Sequence, residues 1–167
     1  MSSELMRETV GADNLTGVFS SRSEVALHGV YEISKVLAAP TRLETTLSNV
    51  LTLLTSFLNM RHGLIALMDE KGDPKLVVGS SWNEHNAKSY FERLPERAIG
   101  QIVATGMPLI VENVATHPLF AGWQGAETAE GSPRTSFLGV PIKESDSVVG
   151  TLTIDRVRDG QTNFKLD

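Results

Sequence analysis

The sequence predicts an α+β fold, an antiparallel β-sheet with helices packed against it. Three observations predict it. Segments near the N-terminus repeat apolar residues at helical steps, short apolar runs downstream come in turn-joined pairs, and a further strand follows a glycine-stopped helix. A chain of 167 residues suits one core, since domains cluster at roughly 100–150 residues.

Residues 1–22 are polar, without periodicity and rich in Ser, Gly and Asn, which predicts a mobile leader ahead of a single domain over 23–167. From Ser23, Leu27, Val30, Ile33 and Leu37 recur at helical spacing, and Val25, Tyr31 and Val36 widen the apolar surface beyond one stripe. That width suits either a fold-back onto the next helix or a homodimer contact. In "PTRLETTLSNVLTLLTSFLNM", Thr41 and Glu44 match a capping box, and Leu43, Leu47, Val50, Leu51, Leu54, Phe57 and Leu58 mark one face.

The period then changes. "HGLIALMD" (62–69) and "KLVVGSSW" (75–82) flank "EKGDP", a turn composition, and predict a β-hairpin. "NEHNAKSYFERLPE" reads as a short helix or a loop. "RAIGQIVATG" is helical, with Gly106 suited to a left-handed stop, and "PLIVEN" is a strand that Pro108 begins or turns outward. Residues 114–135 form a long connection of the kind that serves as lid or binding loop. "SFLGVPIK" and "VVGTLTIDR" form a second hairpin across "ESDS". The chain stops where a further amphipathic helix is expected, so the domain reads as cut from something longer.

Composition excludes several functions. The net charge of -5 argues against a phosphate-binding surface over the whole domain, so nucleic-acid contact is not expected of it. No apolar run approaches the roughly 20 residues needed to span a bilayer, and the N-terminus lacks a secretion signal, which predicts a cytoplasmic protein without membrane contact. The absence of cysteine removes disulfides, thiolate metal sites and cysteine nucleophiles. His28, His62, His85 and His117 lie far apart and at no recurrent metal-ligand spacing, and neither a nucleophile elbow nor a P-loop is present. No catalytic residue, cofactor or metal is therefore expected.

The long loop carries the candidate binding residues. Trp123 is costly to expose, so it folds over either the core or a ligand cavity. Arg134 follows Pro133 at the loop's end, where a cation holds the loop by a local salt bridge or holds an anionic ligand. Arg97 joins them because a dicarboxylate takes one or two charge-assisted partners. His117, in the pair His117-Pro118, reads as a loop-shaping element.

"GQIVATGMPLIVENVATHPLF", followed by "RTSFLGVPIKESDSVVGTLTIDR", resembles GAF domains, with the match covering residues 24–167. Within that family, "YEISKVLAAPTRLETTLSNVLTLLTSFLNMRHGLIALMD" most resembles the N-terminal regulatory domains of NifA-type activators of nitrogen-fixation genes, which work with sigma-54. The resemblance implies a GAF-like sheet, N-terminal helices included, that controls downstream ATPase and DNA-binding domains. It implies a small-molecule effector such as 2-oxoglutarate, or a regulatory protein partner of the NifL or PII kind. A homodimer is the expected assembly. An alternative within the fold is cyclic-nucleotide binding: Asp155 and Arg156 stand where that signature has Asn-Lys, and Phe164 and Asp167 match it. Outside it stands a ligand-free dimerisation and protein-docking module. Bilin attachment and methionine-sulfoxide reduction, found in some relatives, need cysteine.

Overall fold

A computed structural model describes residues 5–39, 41–80, 84–123 and 134–158. The chain divides into two compact units, Met1–Pro40 and Thr41–Asp167.

The first unit holds α1, Leu5–Ala38. The helix expected from Ser23 begins at Leu5, because no proline interrupts the chain before Pro40 and glycine only weakens a helix. Five apolar residues of its described surface are open: Val25, Leu27, Val30, Tyr31 and Leu37 are all more than half exposed, while Ile33 and Val36 are partly covered.

The second unit is a five-stranded sheet. Its strands are β1 (His62–Met68), β2 (Pro74–Gly79), β3 (Leu109–Val111), β4 (Arg134–Glu144) and β5 (Ser147–Arg158), in the order β2-β1-β5-β4-β3. Every neighbouring pair is antiparallel. Both expected hairpins form, and the turn between β1 and β2 is braced by Asp69, whose Oδ1 accepts from the amides of Lys71 and Asp73. The strands end earlier than the apolar runs suggest at Met68 and Gly79.

Residues paired directly across an antiparallel sheet share a face. His62, Leu64 and Ala66 of β1 stand opposite Asp155, Thr153 and Thr151 of β5, which in turn stand opposite Phe137, Gly139 and Pro141 of β4. This face is covered by α3 (Glu84–Arg93), α4 (Glu96–Thr105) and two 3₁₀ turns at Val114–Thr116 and Pro118–Phe120. Leu64, Ala66, Val77, Leu94, Ala98, Ile102, Val111, Val114, Phe120 and Phe137 make its core. Gly139 lets α4 approach, since a Cβ there would lie 2.3 Å from Cδ1 of Ile102.

The other face receives α2, Leu43–Leu58, whose Leu51 and the nearby Met60 lie over Gly63. The capping box does not form. Arg42 is the N-cap and makes no side-chain cap, while the Thr41 hydroxyl bonds that of Thr46 instead. Nor are all seven apolar residues of the predicted stripe buried: Val50 and Leu51 are, but Leu43 at the helix start and Leu58 at its end are exposed. The segment 84–93, left between helix and loop by its polarity, is helical because it lies against β1 and β2. Gly106 ends α4 at φ 61°, its amide bonding the Ile102 carbonyl, which is the left-handed stop the sequence predicts.

Among the described residues no helix is long and apolar enough to cross a membrane.

Candidate functional site

The central strand β5 alternates between its two faces, and on the face under α3 and α4 it presents Thr151, Thr153 and Asp155. All three are buried, in a surround that is otherwise apolar. A carboxylate in such a place is costly unless several donors meet it. Three do. Oδ1 of Asp155 accepts the backbone amide of His62 at 2.8 Å, and the His62 ring places Nδ1 at 2.9 Å from Oδ2 and 3.0 Å from Oδ1. The Tyr90 hydroxyl of α3 donates to Oδ2 at 2.6 Å, the short distance of a charge-assisted bond.

These bonds join the start of β1, the end of β5 and the middle of α3. The imidazole and phenol rings lie 4.9 Å apart between centroids, and the Arg93 guanidinium sits over the Tyr90 ring at 5.7 Å. Burial raises the Tyr90 phenol well above its ordinary range, and the Asp155 charge and its bond raise it further; Arg61 and Arg93 partly oppose this. The phenol therefore stays a donor.

Beneath Tyr90 lies a cavity of about 10 Å³, walled by His62, Leu64, Leu94, Phe137, Thr153 and Asp155. It has room for about one water molecule. Two residues along β5, the Thr151 hydroxyl is buried and without a hydrogen-bond partner. A larger open groove of about 300 Å³ runs between α2 and the edge strand β2, past Glu44, Ser48, Asn49 and Val78. It lacks a converging set of buried polar groups, so the cavity under α3, though smaller, is the better candidate.

The three residues singled out in the sequence lie elsewhere. Arg97 is exposed on α4, and Arg134 is exposed at the start of β4, paired across the sheet with Arg158. Trp123 is half-buried and packs edge-on against Phe120, itself edge-on to Phe137, so its ring closes the 3₁₀ segment onto the core. Among the described residues, no hydrogen bond or ion pair brings these three together. Residues 124–133 of the long loop and the Trp82 side chain lie outside the described residues, as do Phe164 and Asp167. His117 shapes its loop as expected: its Nδ1 accepts the Leu119 amide at 3.2 Å and so caps the second 3₁₀ turn. No group of three metal-ligating side chains occurs among the described residues.

Sequence reasoning missed His62 and Tyr90 and saw Asp155 only as one position of a partial signature. The available signal was the alternation in "TLTID", where polar residues occupy every second position of a strand whose other positions, Leu152 and Ile154, are apolar. Both faces of a central strand are covered, so a polar row there marks a site.

Comparison with known proteins gives a consistent picture. Residues 42–166 match the family model described as GAF domain. The chain is 50% identical over 144 residues to the Nif-specific regulatory protein of Azorhizobium caulinodans, covering 86% of this chain and 23% of that protein. It is also 50% identical over 142 residues to the Nif-specific regulatory protein of Bradyrhizobium diazoefficiens, covering 84% and 24%. The chain thus spans about a quarter of the length of these curated relatives. In structure it is similar to the nlh2 GAF domain of A. aeolicus in an inactive state, with a TM-score of 0.64, 23% identity and 83% of each chain covered, a likeness of fold.

Proposed function

The chain belongs to the GAF domain family, and from that premise we propose that it is the regulatory module of a Nif-specific, sigma-54-dependent transcription activator. It receives a small metabolite or a partner protein and controls ATPase and DNA-binding domains elsewhere in a longer polypeptide. The identity to Nif-specific regulatory proteins supports the reading of a nitrogen-fixation regulator. The module itself has no catalytic role on this reading, and it acts in the cytoplasm as a homodimer.

One observation carries the sensory reading: the buried Asp155 carboxylate ties α3 to β5 three residues before that strand ends. A ligand or partner that prefers α3 released over α3 closed shifts the balance between the two, and the strand hands the change onward. Only that difference in affinity transmits a signal. The test is a reporter driven by a nitrogen-fixation promoter, with the full-length activator carrying Asp155→Asn or Tyr90→Phe. Both substitutions should change the ratio of output with and without the inducing condition; an unaltered ratio at normal protein levels would refute the reading.

A second reading, a ligand-free dimerisation and docking module, is favoured by the cavity's room for about one water and by the open apolar residues of α1. Sedimentation of the chain as a monomer at high micromolar concentration would count against it.

A further inference from the structure

We propose that the Tyr90 hydroxyl is an internal stand-in for a ligand, and that the space beneath α3 takes a small neutral or cationic molecule whose N–H groups bond Asp155 in its place. This rests on the sensory reading of the covered face.

The chemistry of the wall sets the ligand class. Asp155, as a carboxylate, only accepts hydrogen bonds, and its donors are the His62 amide, the His62 ring and Tyr90. The first is part of the sheet. Tyr90 comes from a ten-residue helix, and it alone is delivered from outside the sheet. An amide, amidine or ammonium supplies the same donor in the same direction. Thr153, on the cavity wall, can donate or accept, and Thr151 beyond it offers a hydroxyl that the protein leaves unbonded.

A dicarboxylate is a poor fit. It brings negative charge against a buried carboxylate, where low dielectric makes like charges costly. The cations near Tyr90, Arg61 and Arg93, are exposed at the rim, and His62 is already engaged by Asp155. Room is made by the competitor's own departure. The present cavity holds about one water, but the Tyr90 ring forms part of its wall, and its release opens the volume that the ring occupied. Binding and the movement of α3 are then one event.

The test is a ¹H–¹⁵N chemical-shift titration of the 167-residue chain and its Tyr90→Ala variant with acetamidinium, acetamide and acetate, three probes of similar size and different charge. Acetamidinium and acetamide should give saturable shifts at the amides of His62, Thr153 and Asp155 in Tyr90→Ala, at least tenfold tighter than in the unaltered chain. Acetate should give none, and adding Asp155→Asn should abolish the acetamidinium response. Acetate binding as tightly, or no saturable shift in a folded variant, overturns the proposal. Should Tyr90→Ala lose its spectral dispersion, Tyr90→Phe keeps the ring and removes only the donor. The same order of probes is expected there with a smaller gain, and its absence is equally decisive. An anionic metabolite that stabilises the chain while acetamidinium leaves these amides unmoved would overturn this proposal and spare the sensory reading; acetamidinium binding as described, with a reporter ratio that Asp155→Asn leaves unaltered, would overturn the sensory reading and leave only the binding site.

Discussion

Replacing Asp155 with Ala takes the acceptor from three donors; the partly exposed His62 ring turns to water, and two are left stranded. The His62 amide loses its 2.8 Å acceptor, and the Tyr90 hydroxyl loses its 2.6 Å acceptor. A buried donor left without a partner costs about 1–3 kcal/mol. The His62 side chain is 24% exposed, so water reaches part of the site and each donor should sit near the lower middle of that range, at about 1.5 kcal/mol, or about 3 kcal/mol for both. Tyr90→Phe alone removes one bond to a charged acceptor, at about 1.5 kcal/mol. The double variant should cost no more than Asp155→Ala, because the phenol it would have stranded is gone. The pair is therefore non-additive by at least about 1.5 kcal/mol, well beyond the roughly 0.5 kcal/mol expected of independent sites. Urea denaturation of the four proteins measures the cycle, and Asp155→Ala should lower Tm by about 6–12 °C in a chain of this length. Additivity within 0.5 kcal/mol would show that the hydroxyl and the carboxylate are not energetically joined, and the reasoning about the site would fail.

Other expectations follow from the same geometry. Tyr90, raised above its ordinary 10.0, stabilises the fold fully below pH 10 and loses that contribution as pH rises further. The unfolding free energy should fall more steeply above pH 10 in the unaltered chain than in Tyr90→Phe, and parallel curves would contradict this. Gly139→Ala should destabilise by about 1–2 kcal/mol, the overpacking against Ile102 and Phe137 exceeding the gain from a stiffer unfolded chain; thermal unfolding reads it. Thr151→Val keeps the shape and removes a buried hydroxyl that has no partner, so it should be neutral or stabilise by up to about 1 kcal/mol. A loss of stability there would mean that the hydroxyl is bonded in solution.

Much of this architecture was legible because it depends on local pattern. The two hairpins, the Gly106 stop and the His117 loop follow from period and turn chemistry, which neighbouring residues determine. The α2 cap was misread because Thr41 could bond Thr46 as readily as a free amide, and sequence does not rank those options. The site was least legible. Asp155, His62 and Tyr90 are separated by 93 and 65 positions, and only the register of β1 against β5 and the placement of α3 bring them together. Arg97 was chosen for its charge, and Arg134 for its charge and its place at the end of the long loop. Charge says nothing of direction, and both are exposed.

The most direct test is thermal unfolding of the chain and of Asp155→Asn, each titrated with 2-oxoglutarate, glutamine, cyclic AMP and cyclic GMP. A ligand at 100 times its Kd adds about 2.7 kcal/mol, several degrees in a domain of this size. The expected result is a saturable rise with a compound that carries N–H donors, absent in Asp155→Asn. No rise with any compound, or a rise with 2-oxoglutarate that is equal in both proteins, would contradict an input received at Asp155.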